Sequence, residues 1–359
     1  MSPARTPTRL WLAAGLALLA AAAGARAEPP AFVPQRVRVV VAVGDRAARG
    51  GIHRARLDQP VRLYAAVSGR LGDRRVVACA APQLMLDGRR VPPARRVAPE
   101  RIAGFDLRWY KVQPASRWVD NTRGGFHWHP IDYEALPASD WGDHWSWAAD
   151  AHPLGQGLGD HGGAGTMAFQ VRLRRGRGEW ASPGPQARFR GGLGPRVPRV
   201  AFRRDDSYLG RLGELYNTPY IWGSAGTRPA DHQAERLIGS DCADFVVYGA
   251  RRLGKPLAYR ASWHLPEVTR TVARSVRVDD QGRHRDAEGE LLAVGRDGIH
   301  LGDLLLFRGH VGALAEDRQP LGVLDANDVM LHTYWAPPAA EPLRRTAYAE
   351  SPLRVLRWK

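Results

Sequence analysis

Cysteine is almost missing from this chain: there are two in 359 residues, Cys79 and Cys242. One disulfide is the most it can close, so a disulfide framework is excluded. Long apolar runs are also scarce. The clearest, from Leu10 to about Ala23, is short for a membrane span, which needs about 20 apolar residues. No basic stretch interleaved with aromatics and no nucleic-acid motif is present, so nucleic acid ranks low as a partner. Acidic residues are outnumbered 36 to 52, for a formal net charge of +16, nearly all of it arginine. Such a charge holds an exported protein near an anionic wall polymer or membrane, although an arginine-favouring genome gives the same excess. With 44% apolar and 25% charged residues, the composition is that of a folded globular protein rather than a disordered one.

The start reads as an address. Arg5 and Arg9 precede the apolar run, and Ala25-Arg26-Ala27 is a small-x-small cleavage site,. Residues 1–27 are therefore expected to be a removed signal peptide. No cysteine stands near the cut, so the mature protein is expected without a membrane anchor, periplasmic or secreted. The length suits about two domains of ~100–200 residues. The expected division is 28–200 and 201–359.

From about 31 to 200 the pattern is strand-like. Arg36-Val37-Arg38-Val39, Val61-Arg62-Leu63-Tyr64 and Phe169-Gln170-Val171-Arg172 alternate, and Asp87-Gly88 marks a hairpin,. Without a convincing long helix, this half is expected to be an all-β sandwich of immunoglobulin-like type. Between Trp109 and His161 lies a stretch rich in Trp and His, including Trp118, His127, Trp128, His129, His144 and Trp145. Three readings stay open for it: paired histidines for a metal, tryptophans for sugar rings, or a long loop packed by its own aromatics. Gly155, Gly157 and Gly159 follow Pro153 rather than a strand, so a phosphate loop is excluded by context.

Past the Gly- and Pro-rich stretch around 185–206, Leu209, Leu212, Leu215 and Tyr216 give a helical stripe, and a second small helical segment is expected at about 231–238. A longer amphipathic helix is expected from Cys242, through Phe245, Gly249 and Leu253,. Asp241 is its N-cap, Asp244 supplies the carboxylate of a capping box, and Arg251 and Arg252 suit its far end. A cysteine in a first helical turn meets unpaired N–H groups and the positive dipole end, which favour thiolate. The plain alternative is a small buried cysteine closing a core helix. Nucleophilic Cys242 must stay free, so that role and a Cys79–Cys242 disulfide exclude each other.

Three ordered blocks carry a resemblance. They are Asn217-Thr218-Pro219-Tyr220-Ile221-Trp222-Gly223-Ser224, Ser240-Asp241-Cys242-Ala243-Asp244-Phe245, and Gly302-Asp303-Leu304-Leu305-Leu306-Phe307 through His310-Val311-Gly312. Together, with the weaker Val329-Met330-Leu331-His332, they resemble the NlpC-like cell-wall cysteine peptidases over roughly residues 207–335. Ala243 and Asp244 stand where the family has serine and glycine. The segments 226–239, 275–298 and 315–328 look like insertions. The resemblance implies a papain-like C-terminal domain, hence an α+β chain overall. It implies Cys242 as nucleophile, His310 as base and His332 as orienting third residue. Asp325, Asn327 and His300 remain alternatives for that third role. Tyr220, Asp241 and Trp222 are the substrate-binding residues implied, Tyr220 near the oxyanion and Asp241 on the free amine of the substrate.

The expected function is an exported cysteine endopeptidase with peptidoglycan as its partner and no cofactor or metal. The resemblance implies cleavage between D-glutamate, through its γ-carboxyl, and a diamino acid. The alternatives are another amidase or acyl-transfer chemistry on the same fold, a catalytically silent wall-binding protein, and a metal hydrolase built on His127, His129 and His144.

Overall fold

Apolar alternation builds the first half from paired strands. In this computed structural model, which describes residues 31–102, 104–155, 157–224 and 232–359, strand Phe32–Val43 pairs antiparallel with Val61–Leu71, setting Val39 opposite Ala65 and Val41 opposite Leu63. Arg74–Ala78 and Arg96–Val97 extend that sheet, and Ser146–Ala148 also pairs with Val61–Leu71. A second sheet runs Tyr133–Pro137, Asp106–Pro114, Gly165–Arg175, Arg199–Arg203, Ile52–Arg56. Inward residues of both, among them Val39, Leu63, Val67, Leu107, Trp109, Phe169 and Val171, form one core. Cys79 lies with Val40, Tyr64 and Ala66 on the outer face of the first sheet, under the segment carrying Ala81, Leu84 and Val91.

Strand Arg199–Arg203 joins the two halves. Val200 and Phe202 face the first core, and Ala201 faces a second one. That second core lies between helix α2 (Cys242–Arg252) and a six-stranded antiparallel sheet ordered Thr269–Arg274, Arg354–Trp358, Leu304–Phe307, His310–Glu316, Val329–His332, Ala339–Pro342. Phe245, Val246 and Val247 meet Leu304, Val311, Ala313, Leu331 and Leu356 there. Each fully buried aliphatic or aromatic side chain contributes about 1.5–3 kcal/mol. The opposite face of the sheet, with Leu305, Leu314, Met330 and Val355, is covered by Leu292, Ile299, Leu324 and Leu343.

The α+β, papain-like expectation is overturned. The chain is mostly β, with strand in 41% of residues and helix in 10%. The physical reason lies in three segments. The stripe from Leu209 closes as a helix of six residues, α1 (Tyr208–Gly213), capped by Ser207 and followed by tight turns. The described part of the 231–238 segment forms turns, not a helix. The 275–300 segment covers the outer face of the sheet with the short hairpin Arg277–Val278/His284–Arg285 and Leu292 and Ile299. The immunoglobulin-type antiparallel sandwich is corrected too. Both sheets of the first half are mixed, since Arg199–Arg203 runs parallel to Ile52–Arg56 and Arg74–Ala78 parallel to Arg96–Val97.

Helix α2 begins at Cys242 behind the Asp241 cap, as expected, and is buried along most of its length. Every residue from Cys242 to Ala250 is buried, with Tyr208 and Leu212 of α1 against Gly249 and Arg54 of the first half on Tyr248. A helix buried all round belongs to a core. No helix among the described residues is long and apolar enough to cross a membrane.

Candidate active site

The helix cap places the cysteine. Asp241 accepts from the Asp244 N–H at 2.9 Å, leaving Cys242 as the first residue of α2. The expected reciprocal bond is replaced by a relay. The Asp241 N–H donates to Ser224 Oγ at 3.2 Å, and Ser224 donates to Asp244 Oδ2 at 2.5 Å. His232 Nε2 stands 3.2 Å from the same carboxylate oxygen, its ring stacked on Tyr259 at 3.6 Å. Ser224, Asp244 and His232 thus tie the loop after Trp222 to the start of α2. On the other side, the Ile221 N–H donates to Ser240 O at 3.0 Å, which brings Tyr220 beside the cysteine. Gly239, with φ +157°, permits this approach, since a Cβ there would lie 2.3 Å from Pro219 O.

His310 follows a tight turn, Arg308-Gly309, at the start of its strand, and is fully buried. Its Nε2 lies 2.8 Å from His332 Nδ1. His332 Nε2 lies 2.8 Å from Glu341 Oε1. The strand pairing makes this possible: His332 opposes Ala339 and Met330 opposes Glu341, so His332 and Glu341 are diagonal neighbours on one face. The order of protons follows. The Glu341 carboxyl is held below its ordinary range by its bond to His332 and accepts the His332 Nε2–H. His332 Nδ1 then accepts from His310 Nε2–H, and His310 Nδ1 is left with its lone pair free. That Nδ1 is buried and has no hydrogen-bond partner. Of the other residues weighed for the third position, Asp325 accepts from Asn327, Asn327 bonds Gln319 O, and His300 lies near Arg296 O.

The Cys242 thiol lies beside the start of the His310 strand, and among the described residues no hydrogen bond joins it to His310. The Val311 N–H, one residue from His310, points at its sulfur, and burial followed by the Asp241 carboxyl pushes its pKa up. The thiolate favoured by the helix start is therefore not the resting form: desolvation outweighs the dipole. Asp241 is itself pushed well above the carboxylate range by burial and by Asp244. Burial and His332 push His310 down to about 2. At neutral pH the pair rests as thiol and neutral imidazole. Tyr220 and Tyr348 both lie within electrostatic reach of Cys242. Tyr348 stacks on His310 at 4.8 Å and Tyr334 tilts over it at 4.9 Å. The buried Tyr220 hydroxyl has no hydrogen-bond partner among the described residues.

Trp222 lies at the rim of this cluster. It stacks at 5.9 Å on Trp335, which meets Tyr220 at 5.2 Å and the edge of Trp118 at 5.1 Å. The three tryptophans are 38%, 40% and 48% exposed in the order Trp222, Trp335, Trp118. Trp118 arrives from the first half because strand Trp118–Asp120 runs parallel to Tyr220–Trp222. The rest of the Trp/His stretch divides. Trp109 and Trp145 are core, and His127 and His129 lie against each other at 4.1 Å. Among the described residues no group of three or more His, Cys, Asp and Glu is placed to hold a metal ion. Both cysteines are free, and burial raises Cys79 to about 11.

Glu341, Tyr334, Tyr348 and Trp335 escaped the sequence reading. The local signal for Glu341 was a carboxylate on the strand after His332, nine residues on. Comparison of the chain with protein-family models, with curated proteins and with solved structures finds no match.

Proposed function

We propose that this protein is an exported cysteine hydrolase that cleaves an amide bond in peptidoglycan stem peptides. The observation that carries the reading is the aligned series Glu341–His332–His310, which leaves one buried imidazole nitrogen unpartnered, one residue from the Val311 N–H that points at the helix-start cysteine. In this reading His310 Nδ1 takes the Cys242 proton as the sulfur attacks the carbonyl. The imidazolium so formed is stabilised through His332 by the Glu341 charge. The Cys242 N–H, at the start of α2, and the Tyr220 hydroxyl, unpartnered among the described residues, would donate to the oxyanion. His310 then protonates the leaving amine, and water drawn through the same base releases the acyl group.

The wall substrate rests on the resemblance of the three sequence blocks, and with it the bond between γ-D-glutamate and a diamino acid. Asp241 would meet the free amine, whose charge would draw its carboxyl back to the ionised form. Trp118, Trp222 and Trp335 offer exposed ring surface for the sugar-linked part of such a substrate. The test is to incubate purified sacculi with wild-type, Cys242→Ala and His310→Gln proteins and identify released peptides by mass spectrometry. Release by wild type alone is expected; equal release by Cys242→Ala ends the proposal. The position of the new amine separates endopeptidase from amidase cleavage.

One observation favours a second reading, a wall-binding protein without catalysis: Cys242 is 4% exposed and His310 0%. Sedimentation with sacculi, with no peptide released by wild type, would support it.

A further inference from the structure

A second concave site lies at the seam of the two halves, at the far end of α2 from the cysteine. Its cavity of about 390 Å³ is lined by Arg46, Arg49, Arg54, Arg203, Arg211 and Arg252, with His53 and Gln59. No carboxylate lines it. Ten residues of helix separate Arg252 from Cys242, about 15 Å along the axis, so this site and the candidate active site are distinct.

The charge behind the lining is unbalanced. Arg54, Arg203, Arg211 and Arg252 all converge on one carboxylate, Glu214, at 3.2, 3.3, 3.3 and 3.3 Å. Glu214 is fully buried and also accepts from the Tyr248 hydroxyl at 2.5 Å. Asp206, which bonds Arg203 and Arg211 from the exposed side, and Glu235, within electrostatic reach of Arg54, are the other carboxylates near the lining. The Arg211 Nε is buried and has no partner. Arg46 and Arg49 are exposed, and their side chains form no hydrogen bond or ion pair among the described residues. Guanidiniums crowded around too few carboxylates repel one another, and more strongly where water is thinned out. Planar, forked donors in excess are the arrangement that takes phosphate oxygens bidentately.

We infer that this pocket binds a small, multiply charged phosphate compound, held between Arg46 and Arg49 of the first half and Arg211 and Arg252 of the helices. A diphosphate fits the charge better than a single phosphate, since six arginines line the pocket and no carboxylate does. Such a ligand would bridge the halves. The inference stands apart from the proposed hydrolase and survives its failure.

The test uses the full mature chain and pyrophosphate as probe, followed by calorimetric titration and by thermal melting at low ionic strength. Wild type is expected to bind with a rise in melting temperature, more tightly than to inorganic phosphate and at least tenfold more tightly than to sulfate. Arg46→Ala/Arg49→Ala, which leaves the Glu214 cluster intact, is expected to melt at the wild-type temperature without probe and to bind at least tenfold more weakly. Equal binding by wild type and variant overturns the assignment, as does equal affinity for sulfate and pyrophosphate. No binding by wild type below millimolar probe overturns it too.

Discussion

At the scale of single residues, the candidate site depends on which nitrogen of each histidine is committed. Glu341 sets the tautomer of His332, and His332 sets that of His310. Glu341→Gln keeps an acceptor but loses the charge that steadies the imidazolium, so kcat on sacculi should fall while KM holds. His332→Ala should cost on the order of a hundredfold in kcat. Loss in KM alone would mean that these residues shape only the groove. Cys242 is the second residue-scale case. With its thiol pushed above the ordinary range, iodoacetamide should alkylate it more slowly than a free thiol at pH 8, and the rate should keep climbing past pH 9. Asp241→Asn keeps the helix cap and removes a carboxyl that opposes thiolate once ionised, so alkylation should quicken at the alkaline end of that range. A rate that levels off below pH 7 would instead reveal a preformed thiolate–imidazolium pair.

Elements decide whether those residues can meet. The strands His310–Glu316 and Val329–His332 lie side by side only because Gly312 has no side chain. A Cβ there would stand 2.5 Å from Met330 Cγ and 2.9 Å from His332 Cβ. Gly312→Ala should destabilise the fold by about 1–3 kcal/mol, read as a lower unfolding midpoint, and should disturb His332 besides. An unchanged midpoint with full activity would show that the sheet absorbs the methyl group. The helix-start signals around Cys242 were legible because capping is local: Asp241, Asp244 and the terminal arginines act within one turn. The Glu341 contact was not legible, because it depends on how two strands register. The same holds for the aromatic walls, where Tyr334, between the strands Val329–His332 and Ala339–Pro342, and Tyr348, beyond them, both reach His310.

For the molecule as a whole, the parallel pairing of Trp118–Asp120 with Tyr220–Trp222 makes the first half part of the site wall. Trp118→Ala should therefore raise KM for sacculi and leave kcat nearly unchanged; unaltered kinetics would confine the first half to a supporting role. Stability against acid is also a property of the whole fold. His53 and His284 are lowered to about 4 and His310 to about 2, chiefly by burial. Unfolded histidines titrate near 6.5, so between that pH and the folded values the unfolded chain binds more protons and stability falls as pH drops. Asp241, raised well above its ordinary value, and Asp328, raised to about 7, act the other way. The melting temperature should nonetheless fall from pH 6.5 to pH 4, and less steeply in His284→Gln. An equal slope in that variant would remove buried His284 from the account.

Local order was in the sequence. The alternation of the long strands, the cap and start of α2, and the turn before His310 all follow from residues within a few positions of one another, where sterics and hydrogen bonding act without the rest of the chain. The fold class and the chemistry of the site were not. A helix-like stripe at 209–216 yielded six helical residues because the tight turns after Gly213 stop it. The segment after Ser275 became a cover for the sheet. The pKa of Cys242 was set by burial near Tyr220, Val311 and Tyr348, which only the tertiary packing imposes. Distant arginines became one pocket, and a glutamate nine residues past a histidine became its partner, through strand register and core packing, which sum weak contacts across the whole chain.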